Sequence, residues 1–260
     1  MNKIKIRRNL KDIWNAFMVK GAVFSENDIP VCPTTLDAIP KRLVSYKEAK
    51  TIFNKRKKEE PDFHDDSVVH FFLGDQAFDG EKTSIWAHPK KAYEVLKHFE
   101  GIIIPDFSTY LDFPEPLKRW NYYRMYAFGY WYGVICRKKV MTQARWDYKE
   151  SFSYCFDGIR EGDMVAIGTV ASGLKEKENR ERFEEGLREL IKRKHPSALL
   201  IYGGTNSPIF KELEKEGVRI IRYRSETDIH LGGLSKNAKE ILRIVQRNKR
   251  QPFKGGRNNQ

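Results

Sequence analysis

Apolar residues along this chain follow two spacings in turn. Short runs at 68–73, 102–104, 139–145, 164–170, 198–202 and 218–223 have the length and side chains of buried strands. Between them, apolar residues recur at helical spacing. Ala92, Val95, Leu96 and Phe99 follow Pro89, and Phe183, Leu187, Leu190 and Ile191 mark a helix over 178–192. Ser45 with Glu48 three residues later predicts a capped helix start, with Ala49, Ile52 and Phe53 on its apolar face. Pro116 opens a helix over 117–134 whose Trp120, Tyr122, Tyr123, Tyr126, Phe128, Tyr130, Trp131 and Tyr132 imply burial on most sides. Gly101 reads as the stop of the helix before it. Ser207-Pro208 reads as the N-cap and first position of a further helix, which Gly217 ends. Strand and helix thus alternate about six times. The expected fold is α/β: a mostly parallel sheet of about six strands with flanking helices, either open and doubly wound or a reduced barrel.

The two ends depart from this pattern. Residues 1–44 form a basic arm in which Pro30, Pro33 and Pro40 forbid a long helix, and Ile29, Val31 and Ile39 suit wrapping over a sheet edge or core surface. Residues 45–232 make the α/β domain. Residues 233–260 read as a last helix followed by a basic tail almost without apolar residues. No continuous apolar core marks a signal peptide, and no run reaches membrane-spanning length, so a cytoplasmic protein without membrane partners is expected. Cys32, Cys136 and Cys155 are odd in number and widely spaced, which argues against a disulfide framework or a zinc ribbon.

Charge adds a partner class. The formal net charge is +13. Such a field attracts polyanions, so nucleic acid is the expected partner, with an acidic protein as the alternative. The candidate contacts are Arg247, Lys249, Arg250, Lys254 and Arg257 of the tail.

Candidate chemistry sits where the apolar runs stop. Parallel strands bring their carboxyl ends to one rim. That rim would hold Asp75, Asp106 with Ser108, Arg145 with Asp147, Thr169 with Ser172, and Gly203-Gly204. Asp75, Asp106 and Asp147 are the residue type that holds Mg²⁺ or Mn²⁺, with Arg145 as the fourth catalytic candidate, neutralising a phosphate. Ser108, Thr169, Ser172, Gly203 and Gly204 are the substrate-binding candidates. The competing reading is that these acids cap helices and fix loops. His64-Asp65-Asp66 with His70 is read as a turn before a strand in preference to a metal group. No phosphate-binding P-loop, dinucleotide fingerprint or hydrolase serine elbow is present.

Spaced words in the central stretch carry a resemblance. They are Pro105-Asp106-Phe107-Ser108 with Tyr110, Asp112-Phe113-Pro114, Trp120-Asn121 with Tyr123-Arg124, and Gly129-Tyr130-Trp131. Arg145-Trp146-Asp147, Cys155-Phe156-Asp157-Gly158-Ile159 and Val165-Ala166-Ile167-Gly168-Thr169 continue the series. In these the chain resembles domain-of-unknown-function family 4417, found in phages, plasmids and other mobile elements of bacteria. The likeness runs from about Pro30 to Gly204 and departs at Gly173-Leu174 and Gly203-Gly204-Thr205. It implies a phage or mobile-element protein and transfers no catalytic residues. Three functions stay open: a nucleic-acid-associated, metal-dependent phosphoryl-transfer enzyme or nuclease; a non-catalytic regulatory, anti-host or assembly protein that binds DNA, RNA or an acidic partner through its basic arm and tail; and an enzyme on a small phosphorylated metabolite that uses the same cleft and the Gly203-Gly204 turn.

Overall fold

A computed structural model of the chain describes residues 11–170, 172–226, 228 and 229. Seven strands pair in chain order, all parallel: β1 (Leu43–Ser45), β2 (Asp65–His70), β3 (Phe99–Ile103), β4 (Val140–Gln143), β5 (Met164–Gly168), β6 (Ala198–Tyr202) and β7 (Ile220–Tyr223). A doubly wound sheet must reverse its strand order, and this one does not, so the reduced barrel is the arrangement that forms. Right-handed crossovers in unbroken order put every helix on the same face. The helices are α1 (Tyr46–Arg56), α2 (Pro89–Leu96), α3 (Glu115–Tyr130), α4 (Lys177–Lys194) and α5 (Ile209–Lys215).

Side-chain alternation along the strands divides the interior accordingly. Val69, Phe71, Ile102, Ile104, Val140, Val165, Ile167, Leu199 and Ile201 pack with the helices in the larger core. Val68, Phe72, Ile103, Met141, Ala166, Leu200 and Tyr202 face the other way and fill a smaller core on the concave side. The sheet curls until its strands meet across that hollow. The His70 ring of β2 lies 4.2 Å from the Tyr202 ring of β6, and Phe72 stacks on Tyr202 at 5.5 Å. Tyr223 Oη donates to the Pro40 carbonyl at 2.6 Å, tying β7 to the chain entering β1.

The arm crosses the amino ends of the strands. The Thr34 N–H donates to Asp163 Oδ2 at 2.6 Å, and its hydroxyl to the Met164 carbonyl at 3.0 Å. The N–H groups of Thr35 and Leu36 both reach the Val140 carbonyl. Leu36 thereby enters the concave core and is buried. The arm thus passes beneath β4 and β5 through Thr34, Thr35 and Leu36, while of the residues expected to cover the sheet Ile29 is buried and Val31 and Ile39 are half-buried.

Local rules account for most elements. The Ser45 hydroxyl accepts the Glu48 N–H at 3.2 Å and caps α1. Gly101 does not end a helix. It lies inside β3, where an added Cβ would sit 2.8 Å from the Lys139 carbonyl, so its role is to let β3 and β4 approach. In α3, Tyr122 and Tyr126 are fully buried and send their hydroxyls to the carbonyls of Arg145 and Cys155. The helix runs on into one wide turn, Trp131–Ile135.

Gly158 lies against this helix: a Cβ there would fall 2.1 Å from the Tyr126 ring. Gly158→Ala is therefore expected to lower stability by about 1–3 kcal/mol, the usual cost of overpacking. An unshifted urea midpoint would contradict that packing.

The compact α/β unit closes at Tyr223, and a second unit begins at Arg224. Among the described residues no helix is long and apolar enough to cross a membrane.

Candidate functional site at the carboxyl rim

Beyond β2 the chain breaks at Gly74, and Asp75 opens a short turn. Asp75 Oδ1 accepts the Ser108 hydroxyl at 2.9 Å and the Ser108 N–H at 3.3 Å. This joins the loop after β2 to the loop after β3. Asp106, also beyond β3, accepts Arg145 Nη1 at 2.7 Å and Gln143 Nε2 at 3.1 Å, which joins it to β4. Asp147, two residues past Arg145, lies 3.1 Å from Lys118 Nζ of α3. Both side chains of that pair are nearly sealed, at 5% and 9% exposed. The Thr109 hydroxyl lies 3.4 Å from the other Asp147 oxygen. Arg124 closes the network from α3, holding Asp79 through Nη1 and Asn121 Oδ1 through Nη2.

Burial shifts two of the carboxyls, Asp75 and Asp147. It raises the Asp75 carboxyl above the usual range against the Ser108 hydrogen bonds, with Asp106 and Asp79 adding repulsion. It raises Asp147 as well, against Lys118 and Arg145. Arg145 loses hydration too, yet Asp106, Tyr122 and Asp147 together more than compensate and lift it above the usual guanidinium value.

The three predicted metal carboxylates therefore share a rim, but each has its own protein partner there. Among the described residues no three Asp, Glu, His or Cys side chains gather as a metal-holding group. Counting Asp75, Asp79, Asp106 and Asp147 against Lys118, Arg124 and Arg145 leaves one net negative charge.

The remaining rim residues are engaged locally. The Thr169 hydroxyl points to the carbonyls of Gly204 and Tyr202, at 2.9 and 3.3 Å, and so fastens the turn after β6. Gly203 in that turn has φ +114°, and a Cβ would meet Thr169 Oγ1 at 2.7 Å, so glycine is required. Ser172 Oγ reaches back to the Gly168 carbonyl at 3.4 Å. Ser207 accepts the Ile209 N–H at 3.4 Å, close to the expected capping role, while its own proton goes to Glu184. The tail candidates Arg247, Lys249, Arg250, Lys254 and Arg257 lie outside the described residues.

Lys118, Gln143, Thr109 and Asn121 are rim residues that the sequence did not offer as site candidates. Lys118 looks like any cation on an aromatic helix; only its 29-residue reach to Asp147 gives it a role, and no local spacing signals that.

The family described as Domain of unknown function (DUF4417) matches residues 19–224. The chain belongs to this family. All seven strands and the whole rim lie within the match. Among curated proteins, the Gene 1 protein of Mycobacterium phage L5 is 37% identical over 140 residues, covering 52% of this chain and 57% of that protein. The Gene 1 protein of Mycobacterium phage D29 is 36% identical over 140 residues, covering 52% and 48%. The chain spans about half the length of the curated relatives it matches. No solved structure matches. Both of these relatives are bacteriophage proteins.

Proposed function

We propose that this phage-family protein binds nucleic acid through cationic segments at its two ends, carried on the α/β unit. One observation carries the reading, and it is the distribution of charge. Residues 1–10 hold four cations and no acid, and residues 230–260 hold eight cations and one acid. Eleven of the thirteen net positive charges thus fall in those segments, leaving a net +2 on residues 11–229. Both segments lie outside the stretch that matches the family. Phosphate contacts provide affinity wherever cations concentrate, because each releases condensed counterions.

The rim gives weaker support to metal-dependent phosphoryl transfer. Its charge is net negative, and Asp106, Asp147 and Asp75 are taken up by Arg145, Lys118 and Ser108. Phosphates are drawn to the ends of the chain ahead of that rim.

Replacing Arg247, Lys249, Arg250, Lys254 and Arg257 together by Gln tests the reading. Binding to DNA and RNA is measured across a salt series. Log affinity should fall less steeply with log salt, the slope shrinking by about 0.7–0.9 for each phosphate the tail no longer neutralises. Equal slope and equal affinity in the two proteins would refute a role for the tail.

A further inference from the structure

At the amino ends of β1, β2 and β3, opposite the rim, the arm does not lie flat on the sheet. It leaves a cavity of about 190 Å³ between itself and the strands. Leu36, Ala38, Ile39 and Pro40 of the arm line one side, and Val68 of β2 with Glu100 of β3 the other. Leu36 and Val68 also belong to the concave core and are buried, so the inner end of the cavity is apolar. Lys41 and Asp66 complete the lining with side chains 84% and 74% exposed, which marks the opening.

Both walls are fixed. The Leu36 N–H donates to the Val140 carbonyl at 3.0 Å, and the Pro40 carbonyl accepts Tyr223 Oη at 2.6 Å. Lys139 Nζ lies 3.2 Å from Asp37 and 2.7 Å from Glu100, so one cation clamps the arm to β3. A pocket whose walls are set beforehand costs a ligand little ordering. The amino face of parallel strands ordinarily serves stability, so binding and not catalysis is what this cavity offers.

Size and charge select the occupant. A cavity of about 150 Å³ holds a benzene ring, so this one suits a compact apolar body of about six to eight carbons. Around the opening, Asp37, Asp66 and Glu100 against Lys41 and Lys139 leave one net negative charge. Lys139 hydrogen-bonds Glu100 and holds its carboxyl below the usual range, which keeps Glu100 anionic. Asp66 is held more loosely, because its Lys41 partner stands 3.8 Å away and both side chains are solvated. His64 approaches Asp66 and Glu100 at 3.8 and 3.2 Å. An ammonium group is attracted to this opening, and a carboxylate or phosphate is repelled.

We infer that the cavity under the arm binds a small primary amine with a compact apolar body. This is independent of the nucleic-acid reading, which concerns the two ends of the chain.

Benzylamine, benzyl alcohol and benzoate share a ring and differ in charge. Each is titrated into the full chain by ligand-observed NMR at about pH 8, where histidine side chains carry little charge. Benzylamine should bind most tightly and benzoate least. Asp66→Asn should cut the preference for benzylamine over benzyl alcohol by about two- to fivefold, the range of an exposed ion pair. Ala38→Phe, a change at an exposed residue, should fill the cavity and abolish binding of all three. In the wild-type protein, ring protons of bound benzylamine should show NOEs to the methyl groups of Leu36, Ile39 and Val68, a readout that needs no variant. Failure of all three compounds to bind, undiminished binding to folded Ala38→Phe, or binding without those NOEs would refute the site. Equal affinity for benzoate and benzylamine would overturn the amine preference and the proposal with it.

Discussion

Lys118→Met is expected to destabilise the protein by about 3–5 kcal/mol, the usual cost of leaving one member of a buried ion pair without its partner. Asp147 would keep its burial and lose the cation 3.1 Å away. The Thr109 hydroxyl, at 3.4 Å, is too far to replace that partner. Asp147→Leu alone should also be costly, because the buried lysine then keeps only the neutral Leu111 carbonyl, 3.0 Å away. The double substitution Lys118→Met with Asp147→Leu should recover most of the loss, because neither charge then has to be dehydrated. Urea midpoints of the four proteins make a complete cycle. If the double variant loses the sum of the two single losses, the residues do not act as a pair.

The second large effect is expected in acid. His70 sits inside the curled sheet, 1% exposed, and burial pulls its imidazole down to about 3. Its Nδ1 accepts the Phe72 N–H at 3.2 Å, so the neutral ring carries its proton on Nε2. In the unfolded chain the same ring titrates near 6.5. Between those values the unfolded state binds the extra proton, so stability falls as pH falls. The contribution is whole above about pH 6.5 and declines toward pH 3, at up to about 1.4 kcal/mol per pH unit. Asp75 and Asp147, raised by burial, act in the opposite direction at the acid end. The informative quantity is therefore the difference between wild type and His70→Asn, in which a neutral oxygen can accept the same N–H. The variant should lose less stability between pH 6.5 and 4.5, and parallel curves would rule out a buried neutral His70.

The sequence is legible where one local rule governs an element. β6 can be read to the residue because its apolar run is bounded by Pro196-Ser197 and Gly203-Gly204. The start of α1 follows from Ser45 and Glu48. β1 escapes such a reading because its three residues follow a basic pair and end on the helix cap itself, which leaves two apolar residues and no run. Gly101 misleads because a glycine after a helix is usually a stop, whereas this one makes room for a carbonyl on the neighbouring strand.

The rim shows the same division. Parallel strands must bring Asp75, Asp106 and Asp147 to one end, and that is readable. Which group each acid meets is not. The partners lie 33, 39 and 29 residues away in sequence, and ring packing of α3 decides where Lys118 points.

The unbroken strand order also bears on how the protein assembles as it leaves the ribosome. Each strand docks on the one made just before it, so the sheet can grow while synthesis continues. The arm is the exception: Thr35 and Leu36 reach the Val140 carbonyl, and Thr34 grips Asp163 and Met164, 129 and 130 residues downstream. That stretch first finds a partner below the sheet when the fourth strand emerges, and only the fifth lets Thr34 complete the latch.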